Sequence, residues 1–240
     1  MYSITISGIE IKIVKKRIKN MYIRVFPPNG IVQVSAPVDY DDETIRMFAL
    51  SRIGWIKRQI QSFENQPRQT KRKYVSGENI YLWGKRYRLD VIFSSSKNDM
   101  KIAGDRIVLQ VRPESTIQQR ENVVNEWYRK LLKAEIPDII EKYQKIIGVT
   151  PSEWHVKNMR TKWGTCNTDK KKIWINLQLT KKTRECLEYV IVHELVHLLE
   201  KNHTEKFTQY MNQFYPEWRV AKEKLNSEVL DYMEPVDNVD

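Results

Sequence analysis

The stretch Glu188–Pro216, EYVIVHELVHLLEKNHTEKFTQYMNQFYP, constrains this chain more than any other. An apolar run, Tyr189–Val192, leads into His193, Glu194 and His197 in the pattern H-E-x-x-H, followed by His203 and Phe207. Residues four apart on an α-helix share a face, one turn apart. His193 and His197 can therefore offer two imidazole nitrogens to one metal ion. Glu194 comes one residue later and leans to the side of that ion, the place for a general base acting on a metal-bound water. Leu195, Val196, Leu198 and Leu199 fill the other faces, so the helix is predicted to be buried. A buried helix does not carry three ionisable groups without a use for them. The chain has four histidines, and three of them are His193, His197 and His203. Open catalytic zinc sites have three protein ligands and a water. These three histidines supply that number for one Zn2+ ion.

Composition sets outer bounds. With 240 residues the chain is one large domain or two small ones, long enough to bury a core without disulfide staples. Hydrophobic residues make up 41%, and no run reaches the eighteen or so apolar residues of a membrane span. The start, MYSITISGIEIKIVKK, lacks the pattern of a signal peptide, so a cytoplasmic protein that uses no membrane is expected. Cys166 and Cys186 make no disulfide framework. Cys166 as a fourth zinc ligand would close the shell that catalysis needs open. The net charge of +11 favours acidic partners, nucleic acid among them. The charge gathers early, at Lys12, Lys15, Lys16, Arg17, Lys19 and Arg24, again over Arg68–Lys73, and at Lys85, Arg86 and Arg88. The N-terminal half is the candidate anion-binding face. A well-solvated basic surface explains the same residues without a ligand.

Taken in order, Tyr2–Val14 alternates as two strands bent at Gly8, and Met21–Phe26 pairs with Ile31–Ala36 around Pro27-Pro28-Asn29-Gly30. Asp41 or Asp42 caps one helix predicted to run to about Phe63. Residues 74–112 read as two hairpins, turning at Gly84-Lys85 and Gly104-Asp105. Aromatic residues alternate there with Lys85, Arg86 and Arg88; a one-sided aromatic core accounts for the pattern better than stacking on single-stranded nucleic acid. Ser115–Ile147 is a long helical pattern that Pro137 is expected to kink or divide. Trp154–Met159 is a strand, Arg160–Lys172 a polar loop holding Trp163-Gly164-Thr165-Cys166, and Ile173–Leu177 a short strand. Thr183 is placed to cap the metal helix. Beyond it, Phe207, Met211 and Phe214 pack inward from a further helix. No repeat, Gly-rich phosphate loop or G-x-S-x-G elbow is present.

The run H-E-L-V-H-L…N-H-T-x-x-F, with W-G-T-C and Asn176-Leu177 upstream, resembles the YgjP-like zinc-metallopeptidase family. That family is similar in motif to SprT-like and WLM DNA-repair proteases. Its pattern, R-W-G-S-C, a strand ending L-N, then H-E-L-x-H and N-H-S-x-x-F, meets Lys162 and Thr165 here in place of the Arg and the Ser. The resemblance covers about Asn158–Leu225 closely and the N-terminal half loosely. Metzincins also place a third His ten residues after the first, but with an intervening Gly where this chain has Glu200, so the turn must be made differently. The resemblance implies a peptidase with Trp163 and Asn176 shaping the site. It also implies a strand, Ile173–Asn176, that borders the cleft and pairs with an extended substrate.

The expected fold is α+β. An N-terminal β-rich region with one long helix (1–112) precedes a mainly helical zincin-like metallopeptidase domain with a small sheet (113–240). The expected function is zinc-dependent endopeptidase action on protein or peptide, by a zinc-bound water that Glu194 activates. Arg160, Lys162, His155 and Tyr215 are candidates to stabilise the oxyanion, and His155 also reads as an exposed strand residue. Glu188 and Glu200 are candidate acceptors behind the ligand imidazoles. The alternatives are a DNA-associated protease recruited through its basic N-terminal half, a non-peptidase zinc hydrolase, and a non-catalytic module with a structural zinc. The last has no need of Glu194.

Overall fold

A computed structural model of the chain describes residues 2–65, 71–159 and 161–227. Two compact units emerge, one from the chain up to Lys71 and one from Arg72–Glu228. The first holds the strands Tyr2–Ile6 (β1), Ile9–Lys16 (β2), Tyr22–Phe26 (β3) and Ile31–Pro37 (β4) in the order β1-β2-β4-β3. Strand alternation puts Ile11, Ile13, Val32, Val34 and Ala36 on one face. Ile45 and Ala49 of Asp42–Ser51 (α1) and Ile56 of Ile53–Glu64 (α2) close the core over them. The single helix expected over 42–63 is thus two. Arg52 leaves the helical region at φ −107°, ψ 5°, and the second helix starts beyond it without a side-chain cap. Asp41 caps α1, accepting from the Thr44 amide at 2.7 Å.

The second unit opens with Asn79–Leu82 (β5), Lys85–Phe93 (β6), Asp99–Ala103 (β7) and Arg106–Val111 (β8), in the order β5-β6-β8-β7. That order repeats the first sheet: two antiparallel hairpins joined through a parallel central pair, β2 with β4 and β6 with β8. The strand Ile31–Pro37, IVQVSAP, holds the place of Ile107–Pro113, IVLQVRP, and each precedes helix. The repeat escapes a reading by period because it is carried by strand order, with few identical residues.

Ile117–Ile147 (α3) follows, started by a reciprocal capping box between Thr116 and Gln119. Pro137 lies inside it without dividing it. The buried stripe Val124, Tyr128, Leu132, Ile136, Ile140, Tyr143 and Ile147 runs past the proline on both sides. Packing of that stripe outweighs one missing backbone hydrogen bond. Next come Glu153–Lys157 (β9), Gly164–Asn167 (β10) and Lys172–Asn176 (β11), a 3-10 turn at Leu177–Lys181, and Arg184–Val196 (α4), Glu205–Phe214 (α5) and Trp218–Ser227 (α6).

One core runs through this unit. Leu89, Ile107 and Leu109 of the sheet, Leu132 and Ile136 of α3, Ile173 and Ile175 of β11, and Leu187, Ile191 and Leu195 of α4 belong to it. The observed division therefore falls near residue 71 and not at 112/113, because the sheet of residues 79–111 shares its core with α4.

The tip of the β5–β6 hairpin seats directly on the approach to α4. The Trp83 amide donates to the Thr180 carbonyl at 2.8 Å and the Gly84 amide to the Lys181 carbonyl at 3.2 Å. Arg184 lies over the Trp83 ring and forks onto Glu135 of α3. Thr183 occupies the N-cap position of α4 without the expected capping bond. Gly84 has φ +77°, and a Cβ there would meet Thr183 Cγ2 at 2.5 Å. Both the backbone conformation and the space require glycine. Gly84→Ala is expected to destabilise the chain by about 1–3 kcal/mol, measured by urea unfolding.

Candidate metal centre

The helix α4 is apolar on nearly every side. Leu187, Ile191, Val192, Leu195 and Val196 are all fully or almost fully buried, so the sequence leaves its polar chemistry to the last turn. His193 lies in that turn and His197 holds the C-cap position, its amide donating to the His193 carbonyl at 3.2 Å. The chain then turns back through Leu198–Asn202. The Glu200 amide donates to the Val196 carbonyl, and the Asn202 amide reaches the Glu200 carboxylate. These bonds make the turn that glycine makes in metzincins. Thr204 caps α5, accepting from the Phe207 amide at 3.3 Å, and the turn delivers His203 to the other two histidines.

One nitrogen from each of His193, His197 and His203 lies within 4.8 Å of the others. The Nε2 atoms of His193 and His203 are 2.9 Å apart. His197 Nδ1 donates to the Glu200 carbonyl at 3.1 Å, which leaves Nε2 as its free lone pair. Glu200 thus meets the His197 imidazole, through its backbone oxygen and not its carboxylate. Glu188 does not, because its carboxylate pairs with Lys142 at 2.7 Å. Phe207 packs on all three imidazoles, with ring centroids 4.7 to 4.9 Å away. Its place four residues after His203 was the available sequence signal.

Burial holds His193 down at about 3, helped by repulsion from His197, His203 and Lys222, and it lowers His197 and His203 as well. All three are neutral near pH 7, the form that binds metal. Glu194 is 4% exposed, and its Oε2 has no hydrogen-bond partner among the described residues. Burial pushes its carboxyl up to about 8 against the opposing charge of Lys162. Three converging neutral nitrogens beside an unpartnered carboxylate oxygen suit a zinc ion with an open position. Cys166 does not join the cluster among the described residues. Burial, and then Glu194, push its thiol up to about 11.

Asn176 is buried and ties the polar loop together. Its side chain accepts from the Met159 and Gln178 amides and donates to the Met159 and Lys162 carbonyls, while its own amide donates to the Trp163 carbonyl. Trp163 is half-buried, 5.8 Å from the Lys182 ammonium. Lys162 faces Glu194 electrostatically. Arg160 lies outside the described residues. His155 sits away from the cluster as an exposed residue of β9, paired with Glu153 and stacked on Trp174. The Tyr215 hydroxyl donates to the Glu185 carbonyl, more than two helical turns before His193, so it too stands apart. The strand β11 is the middle of its sheet, paired with β10 on one side and β9 on the other. It has no free edge for a substrate. The strand β10 does, with β11 as its one strand partner among the described residues.

The Glu194 carboxyl has an ordinary value of 4.5 and a folded value of about 8 in the metal-free chain. The unfolded state therefore ionises first. The cost of burying the charge is absent below about pH 4.5, grows as pH rises and is complete above about pH 8. Glu194→Gln removes that cost. Urea unfolding of chelator-treated protein is expected to show the variant matching wild type at pH 4 and exceeding it at pH 9, by on the order of a few kcal/mol.

No curated protein matches the chain. Two solved structures are similar over part of it. The metallopeptidase zymogen abylysin of Pyrococcus abyssi is 17% identical over 38% of this chain and 90% of its own, with a TM-score of 0.35. The metallopeptidase zymogen jannalysin of Methanocaldococcus jannaschii is 25% identical over 38% of this chain and 93% of its own, with a TM-score of 0.34. Superposition this weak supports no conclusion about function. The family match is of another kind: the model of the YgjP-like metallopeptidase domain matches residues 19–228, most of the chain, and the chain belongs to that family.

Proposed function

We propose that the chain is a zinc-dependent endopeptidase whose metal is held by His193, His197 and His203 and whose proton-transferring group is Glu194. The observation that carries this reading is the convergence of three neutral imidazoles beside a buried carboxylate with an unpartnered oxygen, in a metallopeptidase family. Bound zinc supplies a Lewis acid that acidifies water and polarises a carbonyl. The rest is done by the chain. The Glu194 carboxylate, buried and with its Oε2 unpartnered among the described residues, takes a proton from the attacking water and passes it to the leaving amine. Burial favours the protonated form of Glu194 in the metal-free chain, which suits a group that must hold the proton between those steps. The Lys162 charge opposes the effect of burial and favours the ionised form of Glu194. His197 is kept in one tautomer by the Glu200 carbonyl, and Phe207 holds the three rings against rotation.

Strand addition of a peptide substrate belongs to the free edge of β10, which begins against Glu194. Trp163 and Asn176 act by setting where that strand starts. A nucleic-acid partner is supported by the net positive charge and the motif similarity to DNA-repair proteases alone, and no helix among the described residues is long and apolar enough to cross a membrane.

The test is cleavage of an unstructured protein by the zinc-loaded chain beside Glu194→Gln, with bound zinc measured in both. Glu194→Gln is expected to keep one zinc and lose at least about 100-fold in rate. Equal rates in the two chains would remove Glu194 from the chemistry.

A further inference from the structure

We propose that Gly164 is a positioning residue for Glu194. The proposal rests on the reading of Glu194 as the proton-transferring group. Gly164 opens β10, an extended strand, and its backbone is not in the left-handed region that selects glycine elsewhere in this chain. Space is the reason for it. A Cβ at this position would lie 2.5 Å from Glu194 Oε1, 2.8 Å from Cγ and 2.9 Å from Cδ, closer than real Cβ contacts come. The strand backbone is therefore packed flat against the carboxylate.

Neither side can retreat. Glu194 is 4% exposed, and Val190 and Ile191, one turn before it on the same helix face, are buried, so packing confines its side chain. The strand is held by pairing of Gly164 with fully buried Ile175. Just before it, Asn176 fixes the Lys162 and Trp163 carbonyls at 2.7 and 2.9 Å. The strand backbone lies against Oε1, Cγ and Cδ, and Oε2 is buried without a hydrogen-bond partner among the described residues. Gly164 thus sets where the carboxylate stands. The imidazoles are held separately, by the Glu200 carbonyl and by Phe207, and do not depend on this contact.

The test uses the full chain in four forms: wild type, Gly164→Ala, Glu194→Ala and the double variant. Urea stability is measured metal-free, and zinc content, kcat and KM are measured on loaded protein. Gly164→Ala is expected to hold one zinc, keep KM within about twofold and lose on the order of 100-fold in kcat, the scale of a displacement of about 1 Å. It is expected to lower stability in the wild-type background and to be neutral or stabilising beside Glu194→Ala, because neighbouring sites are non-additive. An equal stability cost in both backgrounds, or an unchanged kcat, would overturn the proposal. Should Gly164→Ala fail to fold, folding restored by Glu194→Ala supports the contact, and folding not restored overturns it. A wild-type chain inert towards peptides but showing the same non-additivity would uphold the contact and remove the peptidase reading instead.

Discussion

A carboxylate held almost out of water, on an otherwise apolar helix, is the constraint on which the second unit is built. Burying Glu194 raises the cost of its charge, and no described residue forms a hydrogen bond to its Oε2. A fold tolerates such a group only if its surroundings are rigid enough to deny it an escape. Here the rigidity comes from every side of α4. Its start is seated on the β5–β6 hairpin tip through Thr180 and Lys181. Arg184 ties it to α3 through Glu135, and its flanks are part of a core that includes both the small sheet and the sheet of residues 79–111. The strand β10 then closes on the carboxylate itself.

This arrangement explains why the sequence showed the histidine cluster so plainly and the frame so poorly. His193, Glu194 and His197 are related by one helical turn, a local and fixed geometry, and His203 follows within a short turn. Their convergence could be read from spacing alone. Strand order could not. The strand β11 carries five residues, and nothing in KIWIN says whether it lies at an edge or in the middle of its sheet. Its central place comes from a parallel pairing with β9 across a loop of polar residues. The boundary near residue 71 was missed for the same reason. Alternation identified the strands of residues 79–111, but not the helices their apolar face would cover.

Single residues mark the same limit. Pro137 carries a strong local signal for a break, and seven buried residues along one helical stripe override it. Gly164 carries almost no signal, since a glycine at the head of a loop-flanked strand is unremarked until the atom it faces is known. Phe207 read as ordinary core, and it is core, with three imidazoles for neighbours. Glu188 and Glu200 were equal candidates by sequence. The structure separates them because Lys142, far away in the chain, claims the first.

In the proposed centre three imidazoles and no thiolate hold the metal, with Glu194 left free beside it. Zinc X-ray absorption on the loaded full-length chain tests this most directly. The account predicts a first shell of nitrogen and oxygen scatterers at about 2.0–2.1 Å, with an imidazole pattern matching three histidines. The same shell should appear in Glu194→Gln. A sulfur scatterer at about 2.3 Å would bring Cys166 into the shell and contradict it, as would loss of the metal with Glu194→Gln.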